Sequence, residues 1–440
     1  MKKVITYGTF DLLHYGHRRL LERAKALGDY LIVGITSDDY DRTRGKINAS
    51  QPLIERIDAV RALGIADEIV VEEYEGQKID DIRRLGVDVF TVGSDWVGFF
   101  DYLKEYCQVV YLDRTDGVSS SDLRAEHRMM RLGIIGESLA VSKCCSECGF
   151  VNGVRISAVC SQDESSVALA RASGIAVCDD LDGLLELCDA VYVVSHPSLH
   201  RQHIRKAIEA GKHILCESPI ALSRESCREL HKLAETKGLV LMEAIKTAYT
   251  TAYNRMLLMA KTGKIGRVVS VDATCTSLAM QERSGRQPWQ WNSICAWGPT
   301  ALLPVFHLLG THYRNRRLVS FYEDEERRFD AFTKIDLEYD NAVASVKVGK
   351  GVKSEGALVV SGTKGYIYVP APWWKTDYFE LRYESANDNK RFFYQLDGEG
   401  IRRELVAFAK AISEGTIPQF VIREVSVAIA DMMDGKERIS

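Results

Sequence analysis

Two histidines stand three residues apart near the N-terminus, in a segment that also holds two glycines. Residues 6–21 contain His14 and His17 together with Gly8 and Gly16. Glycine lets the backbone approach a ligand closely, and the free N–H groups at the start of a helix favour anions. Imidazoles at that end can donate hydrogen bonds to negative charge that develops during a reaction. The pattern predicts a phosphate site at which the histidines stabilise charge.

The neighbouring sequence predicts the elements that must position this site. The apolar run at residues 4–5 predicts a strand before the glycines, and the amphipathic stretch after His14 predicts a helix. Further apolar runs predict strands at residues 30–35, 69–71, 87–92 and 109–112, with helical stretches between them. Such alternation is typical of a parallel sheet, in which ligands bind at the carboxyl ends of the strands.

Three motifs in this part of the chain resemble a known superfamily. GTFD at residues 8–11 and HYGH at 14–17 resemble the turn and the H-x-G-H helix start of the cytidylyl- and adenylyltransferases. GSDW at 93–96 and RTDGVSSS at 114–121 extend the likeness, and residues 1–127 as a whole resemble the glycerol-3-phosphate cytidylyltransferases. That family's R-T-x-G-x-S-T-T signature has threonines where this chain has Ser120 and Ser121. Each motif follows a predicted strand, so we expect the motifs to converge on one pocket.

The resemblance implies a reaction and a set of site residues. A polyol phosphate would attack the α-phosphorus of CTP and pyrophosphate would leave, a transfer that depends on positioning and charge neutralisation. Mg²⁺ is expected to bridge the phosphates, and no side chain is assigned to the metal. The implied catalytic residues are His14, His17, Lys46 and Arg114. The implied CTP- and substrate-binding residues are Gly8, Thr9, Phe10, Asp11, Gly16, Arg56, Asp95, Trp96, Thr115, Ser119, Ser120 and Ser121.

Several of these residues allow a second interpretation. Asp11 has a structural role as its main alternative, Lys46 fits a solvated loop lysine equally well, and Trp96 fits a pocket wall. The serines at 119–121 stand at a predicted helix start, where they can cap the helix as well as bind triphosphate. The H-x-G-H motif alone does not choose a base, so adenylyl transfer is the alternative to the use of CTP. Glycerol 2-phosphate or a longer polyol phosphate is the alternative to glycerol 3-phosphate.

A second series of alternating strands and helices begins near residue 131. RLGIIGESLA at 131–140 resembles the opening of a dinucleotide-binding fold. AGKHILCESP at 210–219 resembles the A-G-K-H-V-L-C-E-K-P segment of the Gfo/Idh/MocA oxidoreductases, which transfer hydride between NAD(P) and sugars or inositols. The likeness continues at residues 263–274, 362–374 and 404–415, through an open-faced sheet to a final helix. It implies NAD(P) as a cofactor, with dinucleotide-binding roles for Gly136, Ser138, Ser161 and Glu217.

This second likeness departs from the family at chemically important positions. Ser138 stands where the fingerprint expects a glycine, and Ser218 replaces the lysine that acts as the family's acid/base. A serine hydroxyl cannot do that proton chemistry at neutral pH, and Lys246 is a candidate replacement. The family's later D-x-G-x-H segment is not recognisable at residues 298–310, which Pro304 interrupts. His307 in that stretch fits a core residue.

Together these patterns predict an α/β chain of three domains. Residues 1–127 would form a Rossmann-like cytidylyltransferase domain, residues 128–250 a second Rossmann-like domain, and residues 251–440 an α+β open-faced sheet domain. The favoured function is synthesis of CDP-glycerol for a teichoic-acid-like or capsular polymer, with a catalytically degenerate oxidoreductase-like part. The alternative is a bifunctional enzyme whose second part is an active NAD(P)-dependent polyol or sugar-phosphate oxidoreductase. A nucleotide-binding scaffold is a third interpretation.

Composition argues against several other classes of protein. The net charge is -4 without a basic block, which argues against a nucleic-acid binder. No apolar run reaches the roughly 18 residues of a membrane span, and the chain opens on a predicted strand without a signal peptide, so we expect a cytoplasmic protein. The 11 cysteines, including Cys144, Cys145 and Cys148, fit buried thiols in a reducing compartment better than disulfides or a metal clip. Both resemblances imply a homo-oligomer.

Overall fold

The described part of the chain forms two compact units. The computed structural model describes residues 1–37, 40, 51–74, 76–113, 129–136, 139–151, 153–278, 292–324, 329–394, 396–415 and 420–433. Unit 1 comprises Met1–Met129 with Phe150–Gly153, and unit 2 comprises Met130–Gly149 with Val154–Ser440. The predicted boundary between residues 250 and 251 falls inside unit 2, and the division into three domains stays a prediction.

Unit 1 is built on a five-stranded parallel sheet in the order β3-β2-β1-β4-β5. The strands are β1 (Lys3–Gly8), β2 (Tyr30–Thr36), β3 (Glu68–Glu72), β4 (Val89–Gly93) and β5 (Gln108–Leu112). The helices are α1 (Tyr15–Lys25), α2 (Leu53–Ala62) and α3 (Gln77–Leu85), and short 3-10 turns at Ser94–Trp96 and Asp101–Glu105 follow β4. The parallel sheet predicted from the alternating pattern is confirmed.

The fourth strand begins two residues later than the apolar pattern predicts. Gly86 adopts a left-handed conformation (φ 63°) at the end of α3. The N–H of Val87 then donates to the carbonyl of Ile82 at 3.0 Å, which keeps Val87 attached to the helix. An apolar residue after a helix therefore belongs to the helix cap here, and β4 starts at Val89.

The three central strands of unit 1, β1, β2 and β4, are buried on both faces, as is typical of a parallel sheet between helices. Val4 and Val33 pack on one face with Leu21 of α1, whereas Ile5 and Phe90 pack on the other face. Neighbouring residues of a strand point to opposite faces. This two-sided burial explains why the strands appear in the sequence as continuous apolar runs.

The first half of unit 2 is a second parallel sheet, in the order β11-β10-β9-β6-β7-β8. Its strands are β6 (Met130–Gly136), β7 (Val154–Cys160), β8 (Ala176–Val177), β9 (Ala190–Val194), β10 (His213–Glu217) and β11 (Leu241–Ala244). Its helices are α4 (Leu139–Cys148), α5 (Glu164–Ala172), α6 (Leu181–Glu186), α7 (Pro197–Glu209) and α8 (Arg224–Thr236). The strand order reverses between β6 and β9, and ligands of such sheets bind at that crevice.

The second half of unit 2 is a mixed sheet in the order β13-β14-β15-β12-β16-β17-β18-β19. Its strands are β12 (Val268–Ser277), β13 (Asn315–Asp324), β14 (Phe329–Glu338), β15 (Val343–Lys350), β16 (Leu358–Gly362), β17 (Tyr366–Val369), β18 (Tyr378–Arg382) and β19 (Lys390–Phe393). Strands β12 and β15 pair in parallel and the other pairs are antiparallel. This sheet agrees with the predicted open-faced sheet.

Four helices accompany the mixed sheet: α9 (Thr251–Lys261), α10 (Ser293–Leu309), α11 (Ile401–Glu414) and α12 (Arg423–Met433). Helix α10 packs against β12, β14 and β15. Helix α11 packs against α4, and α12 packs against α8 and α10. The two last helices therefore join the two sheets of unit 2.

The prediction that Pro304 interrupts this stretch was wrong, because α10 continues through both Pro299 and Pro304. A proline inside a helix removes one backbone hydrogen bond, and burial of the helix against the sheet outweighs that loss. His307, in the last turn of α10, shares a hydrogen bond of 3.0 Å with the hydroxyl of Tyr253. Burial lowers the pKa of His307 to about 4, as for a neutral core histidine.

Among the helices in the described ranges, none is both long and apolar enough to cross a membrane. All 11 cysteines lie in described residues and none forms a disulfide. Cys144 and Cys148 are buried on α4, and burial raises the pKa of both thiols. No group of three or more metal-ligating side chains occurs among the residues that the structure describes.

Candidate active sites

The two predicted histidines lie together at the start of α1. His14 is the N-cap residue, and its Nδ1 accepts a hydrogen bond of 3.1 Å from the N–H of Gly16. The imidazole rings of His14 and His17 stack with centroids 3.9 Å apart and planes 26° apart. An Nδ1 that accepts a hydrogen bond carries no proton, so the proton of a neutral His14 is on Nε2. The pair thus presents an N–H donor at the positive end of a helix.

The turn between β1 and α1 is conformationally strained. Phe10 (φ 51°) and Leu12 (φ 45°) both occupy the left-handed region, which costs a non-glycine residue on the order of 1–3 kcal/mol. Burial of the Phe10 ring, which is 1% exposed and meets His17 edge-on at 5.4 Å, anchors the turn. A Cβ on Gly8 would approach the Phe10 ring at 3.1 Å, so a larger residue would push that ring away. The strained residues therefore lie in the turn between β1 and α1.

Asp11 connects this turn to the segment that precedes α2. Its carboxylate is 1% exposed and accepts a hydrogen bond of 3.0 Å from the N–H of Gln51. The side-chain oxygen of Gln51 in return accepts a hydrogen bond of 3.0 Å from the N–H of Leu12. This reciprocal pair supports the structural role that the sequence favoured for Asp11.

Arg56 is fully buried in α2, and its guanidinium donates to three backbone carbonyls. The acceptors are Thr9 at 2.7 Å, Thr36 at 3.0 Å and Gln51 at 3.1 Å. They belong to the turn after β1, the end of β2 and the approach to α2. Arg56 therefore fixes three segments at the carboxyl edge of the sheet, and direct binding of triphosphate by Arg56 stays a prediction.

The end of β4 contributes an aromatic group to the same edge, because β4 is the neighbour of β1 in the sheet. Trp96 closes the 3-10 turn after β4, and its ring lies 5.4 Å from Phe99 and 5.9 Å from Phe100. This packing fits a pocket wall. Asp95 lies in the same turn.

In unit 2, Gly136 ends β6 at the point where the strand order reverses. Its φ is 136°, and a Cβ there would overlap the backbone of Val194 and Ser195. Only glycine allows two backbone segments to approach so closely at the edge where a dinucleotide would bind. Ser161 follows β7, and its hydroxyl accepts a hydrogen bond of 3.1 Å from the N–H of Asp163, the N-cap of α5.

Ser218 is hydrogen-bonded at the end of β10, directly after Glu217. Its hydroxyl donates to the carboxylate of Glu243 on β11. The N–H of Ile220 donates to the same carboxyl oxygen at 3.4 Å. Burial raises the pKa of Glu243. Ser218 therefore serves as a partner of a buried carboxyl group.

Lys246 follows β11 and lies in a cluster of lysines around one carboxylate. Its Nζ donates to Glu399 Oε2 at 3.0 Å. Lys143 donates to the same oxygen at 2.7 Å, and Lys375 donates to Oε1 at 2.7 Å. Burial raises the pKa of Glu399, but the hydrogen bonds from the three lysines outweigh this effect and hold the pKa well below its usual range. This cluster was not predicted.

A buried carboxyl group on α11 lies close to this edge. Glu404 is 1% exposed, and its Oε2 has no hydrogen-bond partner among the described residues. Burial raises the pKa of Glu404 to about 8, the positive charge of Lys246 opposes that rise, and the negative charge of Glu217 adds to it. Glu404 is therefore protonated at neutral pH.

Comparison with known proteins identifies unit 1. Residues 5–126 match the model of the cytidylyltransferase-like family. Over 126 residues the chain is 48% identical to glycerol-3-phosphate cytidylyltransferase of Bacillus spizizenii, covering 29% of this chain and 97% of that relative. It is 44% identical to the Staphylococcus aureus enzyme of the same name, covering 95% of it. The chain belongs to the cytidylyltransferase-like family of nucleotidyltransferases.

Unit 2 of this nucleotidyltransferase contains an oxidoreductase-family domain. Residues 130–245 match the Gfo/Idh/MocA family, described as an oxidoreductase family with an NAD-binding Rossmann fold. The fold resembles a 3-ketoreductase from Actinomadura kijaniata in complex with NADP and TDP-benzene, with TM-score 0.63 and 20% identity over 69% of this chain and 96% of that chain. UDP-N-acetylglucosamine 3-dehydrogenase from Acidithiobacillus ferrooxidans gives TM-score 0.58 and 18% identity over 69% and 95%. At these identities the likeness shows the fold alone.

The structure brings together part of the predicted nucleotidyltransferase site. The histidine pair and the residues of the β1 turn lie at the carboxyl edge of the sheet with Arg56 and the turn that holds Trp96. Other predicted residues lie outside the described part of the chain, and their roles stay predictions: Lys46, Arg114, Thr115, Ser119, Ser120, Ser121 and, in unit 2, Ser138.

Sequence reasoning missed a buried polar network on the other face of this sheet. The hydroxyl of Tyr7 donates to Asp81 at 2.8 Å, and Gln77 donates to the same carboxylate at 3.1 Å. Lys78 pairs with Glu72 at the end of β3. A lysine and an aspartate one turn apart on a helix look solvated in the sequence. Only their meeting with Tyr7 and Glu72 reveals the network.

We predict that Arg56→Lys destabilises the nucleotidyltransferase unit. A lysine ammonium cannot reach three carbonyls with a planar fork, and buried carbonyls would lose their partners. We expect a loss of about 3 kcal/mol, measured by urea unfolding of the full chain. Arg61→Lys on the same helix is the matched control, because Arg61 is 66% exposed and pairs with Asp58. Equal unfolding midpoints for the two variants would contradict the role assigned to Arg56.

Glu404 predicts a pH-dependent stability of unit 2. Its pKa is about 8 in the folded protein against a usual 4.5, so the unfolded chain releases this proton at lower pH. The stabilisation is complete below about pH 4.5 and is lost as the pH rises through about 8. Glu404→Gln removes this loss, so its melting temperature relative to the parent should be higher at pH 8 than at pH 5.

The control for this experiment is Glu414→Gln on the same helix, where the side chain is 49% exposed. Its melting temperature relative to the parent should not depend on pH in this range. A Glu404→Gln curve parallel to that of the parent protein would show that Glu404 is ionised in the folded state.

Proposed function

We propose that unit 1 transfers a cytidylyl group from CTP to glycerol 3-phosphate or a close polyol phosphate and releases pyrophosphate. The stacked pair of His14 and His17 at the start of α1 carries the proposal. Both imidazoles lie at the N-terminus of α1, at the carboxyl edge of the sheet, where a triphosphate can bind. The glycerol-3-phosphate cytidylyltransferases at 48% and 44% identity support both CTP and the acceptor.

The reaction follows from this arrangement as an in-line displacement. A phosphate oxygen of the acceptor forms a bond to the α-phosphorus of CTP, and the bond to the bridging oxygen breaks with its electron pair leaving on pyrophosphate. His14 and His17 donate to the oxygens on which negative charge accumulates. Arg56 keeps the turn at Thr9 and the end of β2 in place. Lys46, Arg114 and the serines at 119–121 complete the proposed phosphate contacts.

We expect Mg²⁺ to enter this site with the nucleotide, because triphosphate oxygens are ligands that it prefers. When bound there, Mg²⁺ supplies neutralisation of phosphate charge. The product would be a CDP-polyol for a teichoic-acid-like or capsular polymer. A homo-oligomer remains our expectation for the assembled protein.

For unit 2 we propose NAD(P) binding without the acid/base chemistry of its family. Gly136 supports dinucleotide binding, because only a residue without a side chain fits at the switch point of the sheet. Ser161 after β7 and Glu217 at the end of β10 are at edges where the ribose and nicotinamide would lie. Ser218 and Lys246 argue against catalysis, because the first donates to Glu243 and the second to Glu399. A bifunctional enzyme is the alternative, which Gly136 also favours.

The first test measures pyrophosphate release with CTP or ATP and a panel of polyol phosphates. We expect release with CTP and glycerol 3-phosphate, and a decrease of about 100-fold or more in His17→Ala through loss of a charge-stabilising donor. Arg18→Ala is the neighbouring control, because that side chain is 60% exposed and pairs with Glu22. Equal rates in the two variants, or release with ATP alone, would refute the proposal.

The second test measures binding and consumption of NADPH. We expect NADPH fluorescence to change on binding, and Gly136→Ala to weaken binding about tenfold or more, equivalent to 1.4 kcal/mol. Gly149→Ala is the matched control, because a Cβ there meets nothing closer than 3.5 Å. Addition of dihydroxyacetone phosphate should leave NADPH unconsumed. Steady consumption would instead establish the bifunctional enzyme and show that another residue replaces the missing lysine.

A further inference from the structure

Three lysines from distant parts of unit 2 meet at one carboxylate. Lys143 and Lys246 both donate to Glu399 Oε2, at 2.7 and 3.0 Å, and Lys375 donates to Oε1 at 2.7 Å. The four side chains are 30–40% exposed, so a ligand in solution can reach them. Among the described side chains, Glu399 is the one acidic partner of these three lysines.

The position of this lysine cluster in the fold is that of a ligand site. Lys246 follows β11 by two residues and so lies at the carboxyl edge of the parallel sheet. Lys143 is on α4, the helix that follows the Gly136 turn, and Lys375 ends the 3-10 turn Trp373–Lys375 beside the mixed sheet. Ligands of open parallel sheets bind at this edge. The cluster therefore lies where the two sheets of unit 2 face the same space.

Glu399 is held over the lysines by an unusual backbone. Glu399 has φ 52°, and its neighbours Gly398 and Gly400 have φ 60° and 92°. A glutamate in the left-handed region costs on the order of 1–3 kcal/mol, which the contacts with the lysines must offset. Glu399 is therefore held at this position by its surroundings and not by the intrinsic preference of its backbone.

The charges of the cluster indicate which anion this is. Three ammonium groups face one carboxylate, which leaves an excess of two positive charges within these four side chains. Ammonium groups at such short separation repel one another, and a dianion with several oxygens neutralises them best. We propose that Lys143, Lys246 and Lys375 form a binding site for a phosphomonoester dianion, and that the Glu399 carboxylate gives way to this ligand.

The class of phosphate ester rests on the proposed function of unit 1. That unit consumes a polyol phosphate, so the ester that unit 2 binds is this acceptor or the carbonyl phosphate that yields it on reduction. Both carry the same phosphomonoester group on a short hydroxylated chain. Dihydroxyacetone phosphate and glycerol 3-phosphate represent the two sources, and inorganic phosphate represents the group alone.

The test is titration calorimetry of the full chain with each of these three probes, with glycerol and dihydroxyacetone as uncharged controls. We expect both esters to bind. Lys246→Met and Lys375→Met should each weaken the site about tenfold, because each removes a charged hydrogen bond. Lys410→Met is the matched control, because Lys410 is 57% exposed on α11 and pairs with Glu414. It should bind as the parent protein does.

The decisive variant is Glu399→Gln, which keeps the shape and removes the competing charge. We expect it to bind the esters about tenfold more tightly. A purely structural ion-pair cluster predicts the opposite, because loss of Glu399 would then leave the lysines disordered and binding weaker or absent. Unchanged affinity in a folded Glu399→Gln protein would overturn the site, and binding of inorganic phosphate without either ester would overturn the ligand class.

Pyrophosphate release from CTP and glycerol 3-phosphate is measured in the same variants, so that the two proposals fail separately. The lysine and Glu399 substitutions should leave release by unit 1 unchanged. Normal release with no change of ester affinity in any variant would overturn the lysine site. Absent release in the parent protein, with the affinity changes present, would overturn the proposed function of unit 1 and leave the site standing.

Discussion

The guanidinium of Arg56 is the interaction on which the arrangement of unit 1 depends. A buried cation needs hydrogen-bond partners in place of water, and here the carbonyls of Thr9, Thr36 and Gln51 provide them. Those carbonyls belong to segments that converge on the sheet edge from different directions. Because α1 begins directly after the turn at Thr9, the orientation of the histidine pair follows from this contact. A residue predicted to bind phosphate thus holds in register the segments that carry other predicted site residues.

In unit 2, acidic side chains lie at the corresponding edge of the parallel sheet. Glu217, Glu243 and Glu404 bring three carboxyl groups to the ends of β10 and β11 and to the facing helix. Burial raises the pKa of Glu243 and Glu404, so these two resist ionisation, whereas Lys246 pairs with Glu399. Buried carboxyl groups with raised pKa values thus lie near a partly exposed surface formed by lysines. Such a division favours an anionic ligand at the surface.

The sequence predicted the parts of this molecule that are encoded locally. The apolar runs gave the parallel sheet of unit 1, and the H-x-G-H motif placed His14 and His17 at a helix start, since both depend on neighbours within a few residues. It could not predict the contact of Lys143 with Glu399, which lie 256 residues apart. Nothing near either residue signals the other, because the ion pair exists only after α11 has packed on α4. The path of α10 through Pro304 was missed for a similar reason, since packing against the sheet overrides a local helix breaker.

The replacement of the family lysine by Ser218 fits the buried acids around it. An ammonium group at this position would draw Glu243 into its ionised form, because an opposite charge favours the charged state of a carboxyl group. Ser218 donates a neutral hydrogen bond to Glu243 instead, and burial keeps the pKa of that carboxyl raised. The net shift therefore favours the protonated form of Glu243, beside a hydroxyl that carries no charge. The ammonium groups of Lys143, Lys246 and Lys375 surround Glu399 instead. The two carboxyl groups differ accordingly, because burial dominates at Glu243 and raises its pKa, whereas at Glu399 hydrogen bonds from the lysines outweigh burial and lower the pKa.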